Sequence, residues 1–376
     1  MWRHLVLAAV ALTLLAPTLF AREVDPRPRP LVQIALLLDT SNSMDGLIRQ
    51  AQTQLWTIVN ETARCKREGR QPRLQVALYE YGNSRLPVTE GYIRQVLPFT
   101  DDLDRVSEKL FGLTTCGGDE YCGQVIRQAT RELEWESQAA FRAVFIAGNE
   151  PFSQGSVNYR EACKRAIGRG IVVNTIHCGS ESDGIAGGWR DGAMIAEGKF
   201  MNINQDVTRR IIRCPQDEII IKLSAELNTT YVPYGKDGMR GANCQTEQDS
   251  NALAAKDAGA DLQRAVSKAG PAYSNSTWDL VDAVKEGKCD VTVLDDKELP
   301  ADMKKLNAEQ RRDYVEKQAS KRGEIQEKIK QLNAEREKYV AAQQREQADV
   351  PQTLDSAVVT MVREQLKSNK FEVPEK

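Results

Sequence analysis

The residues of this 376-residue chain best suited to chemistry lie in one short loop, Asp39-Thr40-Ser41-Asn42-Ser43. Asp39, Ser41 and Ser43 alternate along it and offer one carboxylate and two hydroxyls. Hard oxygen donors of this kind suit Mg²⁺, with Ca²⁺ or Mn²⁺ in its place, and suit thiophilic metals poorly. Ser43 also fits the simpler task of capping a following helix. The spacing is not that of an EF-hand: counted from Asp39, Met44 stands where that loop needs Gly and Gln50 where it needs Glu. Imidazole is scarce, His4 and His177 being the whole supply. With His4 in a segment that reads as removable, zinc sites built on two or three His are excluded, and a Ser-His-Asp triad would have to use His177. His177 itself reads as a packed histidine at the end of a strand.

The elements that must position the loop follow from hydrophobic periodicity. Leu31 to Leu38 is almost continuously apolar, as a central strand covered on both faces requires. Leu47, Ile48, Ala51, Leu55, Ile58 and Val59 recur at three- and four-residue steps and predict one face of a helix. Strands are predicted at Leu74–Tyr81, Tyr92–Phe99, Ala143–Ala147, Ile171–Ile176 and Lys199–Ile203, with helices at Tyr121–Glu136, Tyr159–Arg169 and Trp189–Ala196. This alternation implies an α/β domain, a doubly wound and mostly parallel sheet flanked by helices, over residues 31–206. Trp56, Tyr79 and Tyr81 read as its packing.

Beyond residue 206 the pattern turns mainly helical. Helices are predicted at Pro215–Leu227, Ala252–Ala269 and Trp278–Lys285, and the glycines of Tyr231–Cys244 predict an irregular segment. Residues 207–300 form this mixed region, residues 301–348 a long charged helix, and residues 349–376 a C-terminal tail. Ile325, Ile329, Leu332, Arg336 and Tyr339 step by four and three, a short coiled-coil-like stripe through which the helix could pair with itself or another chain.

Met1–Ala21 has the basic start, apolar run and small-residue end of a signal peptide, followed by an exposed Pro/Arg-rich leader over residues 22–30. That predicts an exported protein, periplasmic or secreted, with no later membrane span. In an oxidising compartment the eight cysteines, Cys65, Cys116, Cys122, Cys163, Cys178, Cys214, Cys244 and Cys289, are expected to pair as disulfides. A formal charge of −2 gives no general pull toward nucleic acid or an anionic membrane. Asn60, Asn228 and Asn275 head triplets of the glycosylation type, a pattern common by chance.

A buried first strand ending in Asp-x-Ser-x-Ser, inside an alternating β/α chain, resembles the von Willebrand factor A domain with its metal-ion-dependent adhesion site. The resemblance covers residues 31–206 and implies two further loops. The second brings a Thr from a Gly-Gly-Thr turn; here Thr114-Thr115-Cys116-Gly117-Gly118-Asp119-Glu120 puts Asp119 at that position, with Thr115 the alternative if the register shifts. The third brings an Asp after the fourth strand; here Asn149 stands there, in Gly148-Asn149-Glu150. The resemblance thus implies Asp39, Ser41, Ser43, Asp119 and Asn149 around Mg²⁺. It also implies a function, in which a protein partner presents an Asp or Glu to the cation, as in adhesion.

Two other classes compete. A structural reading assembles the protein in the envelope through the C-terminal helix, with an inert metal site. An enzyme is disfavoured: the chain lacks a Walker phosphate loop, a Gly-x-Gly-x-x-Gly after a strand and a Gly-x-Ser-x-Gly elbow. Glu120 and Glu150, the carboxylates beside the site available as a base, read as surface groups.

Overall fold

The structure, a computed structural model, describes residues 27–204, 212–344 and 354–374. The proposed signal segment, Met1–Ala21, lies outside the described residues. Of the leader, Arg27–Arg29 is exposed, and Arg29 anchors it by donating to the carbonyls of Gln71 (3.2 Å) and Pro72 (2.5 Å).

The first domain runs β1 (Leu31–Asp39), α1 (Asp45–Arg64), β2 (Arg73–Tyr81), β3 (Ile93–Thr100), α2 (Leu103–Phe111), α3 (Cys122–Glu132), β4 (Phe141–Gly148), α4 (Tyr159–Gly168), β5 (Val172–Cys178), α5 (Glu181–Ala186), α6 (Trp189–Ile195) and β6 (Phe200–Ile203). The six strands lie in the order β3-β2-β1-β4-β5-β6, with every neighbour parallel except the edge pair β2–β3. The doubly wound α/β fold is therefore as expected. Strand β1 is buried throughout because its side chains serve two layers in alternation. Val32, Ile34, Leu36 and Leu38 pack under α1 and α2, while Ala35 and Leu37 pack with Tyr79, Tyr81 and the inner faces of α3, α4 and α6. Helix α2 was not foreseen; its N-cap is Asp102, whose side chain accepts from the Arg105 N–H at 3.0 Å.

After β6 the chain builds a helical region of α7 (Gln216–Asn228), α8 (Gly238–Ala254), α9 (Ala260–Lys268), α10 (Leu280–Lys285) and α11 (Ala308–Gln344). Two expectations are corrected here. The glycines of 231–244 do not keep that whole stretch irregular, since helix begins at Gly238. Gly241 is a packing glycine: a Cβ there would stand 2.2 Å from Trp278. And the helix expected over Ala252–Ala269 is two, parted at Gly259, whose φ of +78° a side chain tolerates badly. At 37 residues α11 is about 55 Å long. Most of its apolar stripe is not free for pairing, Tyr339 being the exposed member. Ile325 and Ile329 are buried against Ile220, Leu223 and Leu227 of α7 and Leu262 and Ala265 of α9, and Arg336 donates to Asp217 of α7 at 2.9 Å.

The expected tail is a helix too, α12 (Leu354–Ser368), and it belongs to the first domain. Val358, Met361, Val362 and Leu366 join the core formed by α1 and the sheet, beside Trp56, Ile58 and Ile176. Gln365 exchanges hydrogen bonds with Asn174 of β5, at 2.6 and 3.0 Å. The helical region is thus inserted between β6 and the last helix of the α/β layer.

All eight cysteines are free, so the expected disulfides are not formed. Burial explains their role: it pushes the thiols of Cys65 up to about 11 and of Cys163 and Cys244 up to about 12, which suppresses the reactive thiolate and leaves small apolar packers. The three Asn of the glycosylation triplets are internal: Asn60 and Asn228 are hydrogen-bonded to Gln263 and Asp249, and Asn275 is buried. Among the described residues no helix is long and apolar enough to cross a membrane.

Arg264 of α9 fastens the two regions together. It is buried, lies over the Trp56 ring (4.7 Å to the centroid), and pairs with Asp104 of α2 at 2.6 Å and Asp249 of α8 at 2.5 Å. Removing one partner of a buried ion pair costs about 3–5 kcal/mol because the remaining charges are stranded. Arg264→Met should lower stability by that order in urea denaturation, with both regions losing structure together. A change within about 0.5 kcal/mol, the usual range for a surface site, would mean the contact is not closed in solution.

Candidate metal site at the sheet rim

In an open α/β sheet the crevice lies outside the carboxyl ends of strands where the winding reverses, here between β1 and β4. Asp39 ends β1 and Gly148 ends β4, so the loops after them face each other across that crevice. The β1 loop is tied down by backbone bonds: Thr40 N–H donates to Tyr81 O at 2.8 Å, and Thr40 O accepts from Cys116 N–H at 2.9 Å. The second bond docks the 114–120 loop onto the first. Asn83 and Ser84 hold that loop from its other side through the carbonyls of Thr114 and Gly117. The β4 loop is held from below, where Trp189 Nε1 donates to Glu150 O (2.9 Å) and His177 Nε2 lies 3.2 Å from Asn149 O. His177 is therefore the packed histidine expected, placed directly behind the third loop.

Four of the five expected site residues come together. Asp39 is 0% exposed, and its Oδ1 accepts from the Ser41 N–H at 2.7 Å. Ser41 Oγ lies 3.3 Å from Ser43 Oγ, and Asn149 Nδ2 donates to Ser43 Oγ at 3.2 Å. Asp119 does not join them. It is exposed and accepts from the Tyr121 hydroxyl at 3.0 Å. Thr115, the alternative, donates to Asp45. The residue that enters is Glu120, 3% exposed, with its carboxyl against Asp39 and Ser41. The expectation that Glu120 lies at the surface is thus corrected, whereas Glu150 is exposed. Asp119 is exposed, whereas Glu120, two residues ahead of α3, and Cys122, the first residue of that helix, are buried. The inward-facing Cys122, which opens the apolar face of α3, was the sequence signal that could have marked Glu120.

Three acceptor oxygens in this crevice are buried without any donor: Asp39 Oδ2, Glu120 Oε2 and Asn149 Oδ1. Glycines make the space. A Cβ on Gly82 would stand 2.8 Å from Asp39 Oδ1 and 2.9 Å from Glu120 Cγ, and one on Gly148 would stand 3.1 Å from Asp39 Oδ2. Burial, then the neighbouring Glu120, raises the Asp39 carboxyl well above its usual range; burial likewise raises Glu120. Among the described residues no group of three or more His, Cys, Asp or Glu could hold a metal ion. The donors here are two carboxylates, two hydroxyls and an amide oxygen, a set that fits a hard divalent cation and no soft one.

No family model matches the sequence, and no curated protein matches it. Solved structures resemble part of it. Proximal thread matrix protein 1 from the mussel byssus superposes at a TM-score of 0.36 and 14% identity, over 47% of this chain and 42% of its own. BatB from Bacteroides thetaiotaomicron does so at 0.35 and 17%, over 46% of this chain and 90% of its own. The vWF domain of the type V pili tip protein Mfa5 from Porphyromonas gingivalis does so at 0.35 and 11%, over 47% and 90%. At such scores the likeness carries no argument. The strand order, the antiparallel edge β3 and the Asp-x-Ser-x-Ser loop closing β1 are features of the chain itself: they define a doubly wound, mostly parallel α/β domain that carries this loop at its rim.

Because the folded state binds protons at Asp39 and Glu120 more tightly than the unfolded chain, the metal-free protein loses stability as pH rises above the ordinary carboxylate range, about 4, toward the raised folded values. Asp39→Asn removes one of the two charges and keeps an oxygen for the Ser41 N–H. In chelator-treated protein this variant should melt above wild type at neutral pH, by roughly 2–4 °C for each kcal/mol recovered. The gap should narrow as pH falls toward about 4. A variant that melts below wild type at every pH would contradict the buried-charge account.

Proposed function

We propose that the rim loops bind a divalent cation, Mg²⁺ foremost and Mn²⁺ or Ca²⁺ in its place, and use it to engage an Asp or Glu carboxylate on a protein partner. Asp39, Ser41, Ser43 and Asn149 would hold the cation. The observation that supports this best is the trio of donor-less buried oxygens on Asp39, Glu120 and Asn149. Buried polar atoms are rarely left without a partner, and each costs free energy until something satisfies it. Bound there, the cation supplies positive charge and a coordination position for an oxygen from outside. The chain's own part is to hold Asp39 out of water on β1, to orient the two hydroxyls through the short loop, and to fix Asn149 from behind with His177 and Trp189. The role is recognition, not turnover. With export directed by Met1–Ala21, the partner is met outside the cytoplasm.

The structural alternative has less support, since Ile325 and Ile329 of the α11 stripe that would drive assembly are buried against α7 and α9, and only its Tyr339 end is exposed. Truncating the C-terminus is no clean test of it, because that would strip α12 from the core of the first domain. Substitution is the better tool. In calorimetry on the full chain, Mg²⁺ and Mn²⁺ should each bind at one site, and Asp39→Ala should weaken that binding by at least about tenfold, 1.4 kcal/mol. Equal heats from wild type and Asp39→Ala would remove the cation, and with it the recognition role.

A further inference from the structure

We infer that Glu120 is a built-in competitor at this site: it fills the place that a partner's carboxylate would take, so the rim is closed at rest and opens only when Glu120 gives way. This rests on the cation-binding reading above and specifies how the site is regulated.

The argument begins with reach. The second-loop position facing the crevice carries a Glu, one methylene longer than the Asp beside it, and it enters from the rim side. Its carboxyl stands against Asp39 and Ser41 and takes the backbone N–H of Glu150, while Ser43 bonds to Ser41 and Asn149. One Glu120 oxygen, Oε2, is buried with no donor. A side chain placed only for packing would not be a carboxylate pressed on another carboxylate, since each raises the cost of burying the other's charge. Gly82 is shaped to admit it: with φ at +80° and no Cβ, it leaves the space that Glu120 Cγ and Asp39 Oδ1 share.

Charge counting gives the consequence. Asp39 alone would leave a divalent cation with net positive charge to attract an incoming acid. Asp39 and Glu120 together neutralise it, and a partner's carboxylate then meets a site with no net charge to draw it in. Glu120 must therefore move before a partner can bind, and the apparent affinity falls by the fraction of molecules in which it has moved. That motion needs only side-chain rotation. The Glu120 N–H is held by Gln154 and its carbonyl accepts from Cys122 N–H at 3.1 Å, so the backbone can stay where it is.

The test uses the full chain with Mn²⁺ as the cation and acetate as the probe carboxylate. Water-proton relaxation of bound Mn²⁺ reports how many exchanging waters it carries. Wild type should show few and respond weakly to acetate. Glu120→Ala should gain exchanging water, and acetate should displace it at roughly tenfold lower concentration than wild type requires. Should Glu120→Ala fail to fold, as a melting curve would reveal, Glu120→Gln serves instead: it keeps the shape without the charge and should shift acetate binding in the same direction. Relaxation and acetate response equal to wild type in the folded variant overturn the inference, as does loss of Mn²⁺ binding there, which would make Glu120 a required ligand. The underlying reading fails separately, if wild type binds no Mn²⁺ or Asp39→Ala binds it equally well.

Discussion

The pairing of β1 with β2 along one edge and β4 along the other takes its backbone out of water, and helices on both faces do the same for its side chains. A strand so enclosed has one place where its chemistry can meet the outside, the point where the ladders stop. Asp39 is the last residue of that strand, and it is still fully buried. Its charge therefore has to be settled by what the adjoining loops bring. The first loop supplies a single backbone N–H and two hydroxyls, the second a further carboxylate, the third an amide oxygen. None of these offers a positive charge, and this shortage is what gives the crevice its character.

The loops are held by bonds that leave those polar ends untouched. Thr40 and Cys116 join the first and second loops through the main chain and Ser84 holds the second from its other side, while Trp189 and His177 grip carbonyls of the third. Tyr81 lies beneath, with its hydroxyl donating to Ala147 O at 2.9 Å. The site is thus preorganised by groups other than its own donors, the arrangement that metal and recognition sites depend on.

The α/β half was legible because parallel strands covered on both faces must be continuously apolar, and Leu31–Leu38 and Ala143–Ala147 are. The three-loop site was legible to the level of the loop but not of the residue. Gly-Gly-Asp-Glu offers two adjacent carboxylates, and which one turns inward is set by how the loop runs into α3 at Cys122, a tertiary detail that residue types alone do not encode. The helical half was harder to read for a different reason. Gly241 breaks a helix by propensity, yet it lets Trp278 lie against α8, and tertiary contact prevails over the local preference. Arg322 shows the same effect: it is buried on Asp279 and Asp282 at 2.7 Å, in a stretch whose sequence looks merely solvated.

The return of the chain for α12 has a bearing on how the protein comes to be folded. Domains commonly fold in the order they are synthesised, the N-terminal one first. Here the apolar floor of α1, around Trp56 and Ile58, is completed by Val358, Met361 and Leu366 of α12, which follows the whole helical region in sequence. Until those residues emerge, the first-made half has an open side, and the entire helical region must be spanned before it can close. That side of the α/β layer therefore closes only after α12 has been made.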